Sequence, residues 1–295
     1  MKHFSIVKKA KVFFSISLIF LLVGVVSMLT RGFNLGIDFT GGSIIDVKFE
    51  NPVTVSEVRD VLSDHKLGSS IIQLGSMDGQ QTEESQSVLI RTGIISDDQR
   101  VETMTDMTNR LGPNEVLRVE NVGATVGRDL IKSAMGAVAL SWVLMIIYIT
   151  IRFEHNFAFA AIIALIIDVM VTLSWFSLLQ LEMDSSFVAA LLTVVGYSIN
   201  GTIVIFDRIR ENLHTHRRSE SLGDMVDNSI WQTMNRSIYT SATTLFAVIA
   251  IFLFGGETIR NFSFAMLVGF SSGFYTSTFL AGPLWIKLRS RGTHK

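Results

Sequence analysis

Cysteine is absent from the 295-residue chain, which excludes disulfides and thiolate metal sites. The six histidines are scattered, with no spacing that suits zinc, so no metal or other cofactor is expected. Charge is scarce as well. Asp, Glu, Lys and Arg make up 17% of the residues against 48% apolar, and the mean hydropathy is +0.43. That balance lies outside the range of soluble domains and points to a membrane protein. The net charge of −1 carries no information alone, because it sums segments that the sequence keeps apart. No nucleophile–base pair or metal cluster is visible, which makes a membrane enzyme a poor reading.

Long apolar runs are what the sequence does have. Val12–Leu29 is an uncharged run of 18 residues, enough to cross the hydrocarbon core as a helix. It follows Lys2, Lys8, Lys9 and Lys11, as a signal peptide would, but Ser27-Met28-Leu29 is no small-x-small cleavage site and the run exceeds a signal core, so an uncleaved anchor is expected. Further spans are predicted at Ser133–Ile151, Phe157–Leu181, Ser185–Phe206, Ser237–Gly256 and Asn261–Ile286, making six. The N-terminal tail, the Arg152 turn, the 207–236 loop and the tail after Ile286 carry 4, 1, 5 and 4 basic residues. The opposite short loops carry only Arg260, so both termini are expected in the cytoplasm.

Residues 31–132 are too long and too regular for a connector, and predict an extracytoplasmic domain between the first and second spans. Residues 1–30 are then a tail and the first span, 133–286 five spans, and 287–295 a cytoplasmic tail. Ser43–Phe49 reads as a strand, and Thr54-Val55-Ser56-Glu57 as a capping box opening a helix through about His65. Ser70–Leu74 and Val88–Arg91 read as strands around a polar Gly-, Gln- and Glu-rich loop. Ser96-Asp97-Asp98-Gln99 reads as a second capping box, its helix ending near Leu111-Gly112-Pro113, and Val116–Val122 as a last strand. The order β-α-β-β-α-β is the ferredoxin-like pattern, which hosts many functions and names none. With 16 acidic against 10 basic residues in 31–132, a nucleic-acid surface is not expected.

Three motifs are more specific. Gly32-Phe33-Asn34-Leu35-Gly36-Ile37-Asp38-Phe39-Thr40-Gly41-Gly42 reads by itself as a Gly-punctuated turn into a strand, with Asp38 and Thr40 satisfying local backbone donors. It resembles the G-x-D-F-x-G-G signature shared by SecD and SecF, carried here by Gly36, Asp38, Phe39, Gly41 and Gly42. Val122-Gly123-Ala124-Thr125-Val126-Gly127 is similar to the returning V-G-x-x-V-G segment of that family. Gly196-Tyr197-Ser198-Ile199-Asn200, continuing to Asp207-Arg208-Ile209-Arg210-Glu211-Asn212, resembles SecF rather than SecD. The resemblance implies one six-span half of an RND-superfamily transporter in a bacterial cell membrane. It also implies a 1:1 complex with SecD beside the SecY channel complex, contacts with lipid and a translocating unfolded polypeptide, and domain motion driven by the proton motive force. Gly127 and its neighbours are then candidate hinge points.

An ionisable group inside a span costs about 2.5–3.5 kcal/mol and needs a partner or a purpose. Asp168, stacked with Ala164, Thr172 and Trp175 in the third span, is expected to face the bundle, as a structural hydrogen-bonding group or in ion coupling. Arg236 opens the predicted fifth span, with Thr240, Thr243 and Thr244 along its face. It reads as a snorkelling anchor, or, by the resemblance, as the arginine that SecF proteins use in proton conduction. Asn200, with Gly196 and Thr193, forms a small polar stripe suited to helix contact or to function. Asp207, Arg208, Arg210 and Glu211 read mainly as a cytoplasmic cap with local ion pairs. Where the family pattern has Asn-Asp, this chain has Asn200-Gly201, so the carboxylate held to carry the proton is missing. Reliance on other acids, a different coupling ion such as sodium, or a substitution that traps one state all remain open. The alternatives to an export subunit are a non-conducting scaffold of the same complex and half of another RND-type exporter of small hydrophobic molecules or lipids.

Overall fold

The computed structural model describes residues 4–75, 84–215 and 221–292, and so leaves out most of the polar loop expected between the second and third strands, as well as Lys2, Arg217, Arg218 and Lys295. Two compact units are present, one of Leu35–Met135 and one of Met1–Asn34 with Gly136–Lys295.

In chain order the elements begin with α1 (Ala10–Arg31), a two-residue strand β1 (Asn34–Leu35) and a single turn α2 (Ile37–Thr40). Then follow β2 (Gly42–Thr54), α3 (Val55–Asp64), β3 (Ile71–Leu74), β4 (Glu84–Thr92), α4 (Asp97–Leu111) and β5 (Asn114–Val122). The four longer strands form one antiparallel sheet in the order β3-β4-β2-β5. Alternation along the strands sends Ile45, Val47, Phe49, Val88 and Ile90 to one face, where they bury against Val58, Val61, Leu62, Met104 and Met107 of the two helices. β2 runs beyond the expected Phe49 because pairing with β4 resumes at Val53 after an irregularity that contains Pro52, which has no N–H to give a ladder.

The caps differ. Thr54 and Glu57 bond reciprocally, Thr54 N to Glu57 Oε2 at 2.9 Å and Glu57 N to Thr54 Oγ1 at 3.2 Å. The second expected box is only half formed: Gln99 N donates to Ser96 Oγ at 3.2 Å, but the Gln99 amide reaches the His65 carbonyl instead, at 3.2 Å, and joins the two helices.

The Gly-Gly turn has a plain steric cause. Gly41 has φ +74° and Gly42 φ +143°, and a Cβ on Gly42 would lie 2.6 Å from the Thr92 carbonyl oxygen. Thr40 does not serve backbone donors as expected; its hydroxyl donates to the carbonyls of Gly36 and Gly41 at 3.1 and 3.2 Å. Gly127 lies on a helix, and a Cβ there would lie 2.9 Å from the Phe39 carbonyl oxygen and 3.1 Å from that of Asp38. The two motifs thus meet, and glycine is what permits the approach.

The other unit holds α5 (Ala124–Arg152, from Gly136 onward), α6 (His155–Leu179), a two-residue strand β6 (Glu182–Met183), α7 (Ser185–His214), α8 (Leu222–Phe254) and α9 (Glu257–Tyr275). A π-helical segment, Thr276–Ala281, continues α9 into α10 (Gly282–Gly292). Among the described residues, six helices are long and apolar enough to cross a membrane, so this is a multi-pass helical membrane protein. The expected spans all fall on them; two overrun their helices by two residues, to Leu181 and Gly256, and at most other ends the helices extend further. Most of all, α8 starts at Leu222 rather than Ser237, and its 33 residues span about 50 Å, more than a bilayer core of about 30 Å. α1 lies on α6 through small residues: a Cβ on Gly24 would collide with Ser174, and Ser27 and Ser177 share a hydrogen bond of 2.9 Å. Near the start of α6, Phe157 stacks on Trp285 at 4.6 Å and against Phe206 at 5.0 Å, with Ile6 in the same core.

Candidate functional site

Asp168 sits in the middle of the 25-residue α6 and is fully buried, as are Ala164 and Thr172 on the same face. Trp175, the fourth member of that stripe, is half-buried against Phe20 at 5.6 Å. The carboxylate accepts hydrogen bonds from three hydroxyls on other helices. Ser198 of α7 donates to Oδ2, Ser272 of α9 donates to Oδ1 at 2.6 Å, and Thr276, the first residue of the π segment, lies 2.9 Å from both oxygens. α9 comes close enough for this because Gly273 faces α7: a Cβ there would lie 3.1 Å from Ser198 Cβ and 3.2 Å from Ser198 Cα. The π turn widens the helix where Thr276 must point inward, a feature common at functional sites.

Gly201 lies three residues after Ser198 on α7, beside a cavity of about 70 Å³. Asn200, Arg236, Thr240, Ser241 and Ser277 help to line it, so the structure brings together four of the five candidates named from sequence, with Asp168 set apart. Arg236 does not open its helix; it lies inside α8 with its side chain exposed, as is that of Thr240. Tyr197 donates to Ser241 Oγ at 3.0 Å and packs its ring on Phe270 at 4.3 Å, closing one wall. A Cβ on Gly201 would lie 3.2 Å from Ser277 Oγ, so a side chain here would extend against a cavity wall. Among the described residues the Thr193, Gly196 and Asn200 stripe is left open: all three are exposed, and nothing lies within 4 Å of a Cβ placed on Gly196.

The Asp207–Asn212 segment continues α7 past the expected span end. Asp207 pairs with Arg152 at 3.4 Å, Arg208 with Glu211 at 2.5 Å, and Arg208 and Asn212 both bond Gln232 of α8, at 2.5 and 2.8 Å. Arg210 is exposed. The segment ties α7 to α5 and α8 through these ion pairs and hydrogen bonds. Among the described residues no group of three or more His, Asp or Glu could hold a metal ion.

Sequence reasoning did not single out Ser198, Ser272, Thr276 or Ser277. A signal was present: Ser271, Ser272, Tyr275, Thr276, Ser277 and Thr278 crowd six hydroxyls into eight residues of the last span.

Residues 102–291 match the family described as protein export membrane protein SecD/SecF, C-terminal, and residues 26–53 match the SecD/SecF GG motif. A protein translocase subunit SecF from Acidaminococcus fermentans is 78% identical over 99% of both chains. One from Sebaldella termitidis is 42% identical over 96% of this chain and 91% of that one. A crystal structure of SecDF, a translocon-associated membrane protein from Thermus thermophilus, superposes with a TM-score of 0.88 at 32% identity. A super-membrane-facing form of SecDF superposes at 0.72 with 32% identity. This chain is covered to 98% and 100% in these superpositions but spans only 39% and 40% of those longer chains.

Proposed function

Because the chain belongs to the SecF family of protein translocase subunits, we propose that it works as one half of an ion-coupled export device. The other half is SecD in a 1:1 complex, and the site of action is the SecY channel complex with its unfolded, translocating polypeptide. In this reading the βαββαβ unit is a ferredoxin-like extracytoplasmic domain and both termini are cytoplasmic, as the distribution of Lys and Arg supports. The proton motive force drives domain motion, and Asp168 and Arg236 are the groups of this chain that respond to the ion.

The observation that carries the reading is the Asp168 site. A carboxylate in the centre of a membrane helix is expensive, and this one is held by hydroxyls from α7, α9 and the π segment. Ser and Thr hydroxyls can donate or accept, so the cluster can hold the carboxylate and the neutral acid with different donor arrangements. Proton uptake at Asp168 would turn one hydroxyl from donor to acceptor, which changes what holds α9 against α6. That gives a binding event a mechanical consequence inside one helix bundle.

Co-expression with SecD in export-compromised cells, with secretion of a reporter as readout, tests this reading. Export that depends on the pH gradient and falls in Asp168→Asn and Arg236→Ala is the expected result. Unchanged export in both variants would refute the roles given to them. A second reading, a non-conducting scaffold, is favoured by Gly201, which cannot bind or release a proton. Vesicles holding the chain with SecD would then show no proton flux.

A further inference from the structure

The cavity beside Gly201 has one cation in its wall and no acidic side chain. Arg236 makes no ion pair or hydrogen bond among the described residues. Asn200 offers amide N–H groups, Thr240 a hydroxyl, and Ser241, which accepts from Tyr197, keeps its own hydroxyl proton to give. Ser277 donates to the Phe274 carbonyl at 3.1 Å, so it serves as wall rather than donor. The buried carboxylate of the neighbouring cluster, Asp168, is already engaged by Ser198, Ser272 and Thr276. A guanidinium on a membrane helix with donors around it and no counter-charge is the chemistry of an anion site. The volume of about 70 Å³ exceeds the roughly 10–15 Å³ that one water needs, so it admits a monatomic ion together with water.

We infer that this cavity binds a small inorganic monovalent anion of the chloride type as the counter-ion of Arg236, in the space that a carboxylate at position 201 would occupy. The Cβ direction at Gly201, 3.2 Å from the Ser277 hydroxyl oxygen, makes a fixed carboxylate and a diffusible anion alternatives at one place. Either one supplies the same charge to the guanidinium. The inference goes beyond the export reading, and concerns binding that is measurable whether or not the chain drives export.

The test uses the purified full-length chain in lipid nanodiscs. Chloride is titrated against gluconate at constant ionic strength while thermal unfolding is followed by tryptophan fluorescence. A saturating rise in midpoint of about 2–4 °C is expected, the size of shift that ligand linkage gives a chain of this length. Gly201→Asp should remove the response and unfold in gluconate no earlier than the parent does in chloride; Arg236→Gln should remove the response alone. As a second readout that needs no variant, chloride-35 NMR should show line broadening by the parent chain that excess bromide reverses. No saturating shift and no broadening would overturn the inference. So would an equal response in Gly201→Asp, which would mark a general salt effect. Loss of the response when the chain is purified with SecD would also overturn it, since a carboxylate of the partner would then fill the place.

Discussion

At Asp168 of α6 the helix bundle holds a carboxylate and no cation; beside Gly201, three residues beyond Ser198 along α7, it holds a guanidinium and no carboxylate. The first site is closed and self-sufficient, because three helical elements supply the hydroxyls that replace water. The second is open and depends on something outside the chain, because its only charge, Arg236, is exposed. The two share walls, since Thr276 binds the carboxylate while Ser277 lines the cavity. Adjacent hydroxyl residues of the π segment thus serve the two sites, one each. Burial therefore separates the roles: the Asp168 site belongs to the fold as well as to function, and the Arg236 site to function with little claim on the fold.

The largest effect should come from breaking the closed site. Asp168→Leu leaves the Ser198 and Ser272 hydroxyls buried without their acceptor and Thr276 with only the Gly273 carbonyl at 3.3 Å, at about 1–3 kcal/mol for each group left unsatisfied. The variant should fail to accumulate in membranes, as read by immunoblot of the membrane fraction. Asp168→Asn keeps an acceptor oxygen but cannot titrate, so it should accumulate normally while gradient-dependent export falls by about tenfold or more, equivalent to roughly 1.4 kcal/mol. Normal accumulation of the Leu variant would remove the structural half of the contrast.

Gly273→Ala tests how the closed site is assembled. Its new methyl would press on the Ser198 backbone as well as its side chain, which cannot simply rotate away. A loss of about 1–3 kcal/mol is expected from such overpacking, measured as a lower unfolding midpoint. An unchanged midpoint would mean that the helices separate at no cost and that the Asp168 cluster does not depend on their close approach.

Thr54→Ala, in the other unit, sets the scale. Removing this cap should cost about 1 kcal/mol of local stability without touching export. The Glu57 carboxyl is held below its usual range, first by the Thr54 backbone N–H and then by its hydroxyl. A lowered folded value means that this stabilisation is present above the unfolded value of 4.5 and fades as pH falls through the folded one. The parent–variant difference in hydrogen exchange across α3 should therefore shrink on acidification by the share that the Thr54 hydroxyl bond to Glu57 carries, and a pH-independent difference would exclude a contribution from that bond.

Much of this was legible in the sequence because it is written in local patterns. Run length marked the membrane helices, the Thr54–Glu57 spacing marked a reciprocal cap, and the stacking of Asp168 with Ala164 and Thr172 marked a buried face. The donors to Asp168 were not legible. A hydroxyl in a membrane helix usually bonds the carbonyl of its own preceding turn, as Thr172 and Thr202 do, so nothing local distinguishes those that turn to another helix. The start of α8 was missed for a related reason: residues 222–236 are too polar to read as a span, yet Met225, Val226, Ile230 and Met234 pack into the core and carry the helix outward from Arg236. The π turn follows from tertiary demand at Thr276 and has no propensity signature.

The smallest effect on stability should come from the most conspicuous charge. Arg236→Ala removes a side chain that holds no partner among the described residues, so it breaks no bond of this fold, and surface substitutions of that kind stay within about ±0.5 kcal/mol. Its unfolding midpoint in chloride-free buffer should match the parent, whereas export should fall because the open site has lost its only cation. Asp168→Leu and Arg236→Ala then form opposite pairs of readouts, one losing fold and function together and the other losing function alone. An Arg236→Ala chain that unfolds several degrees early without chloride would show that Arg236 is held by the bundle after all. The two sites would then differ in the sign of their charge and not in their dependence on the fold.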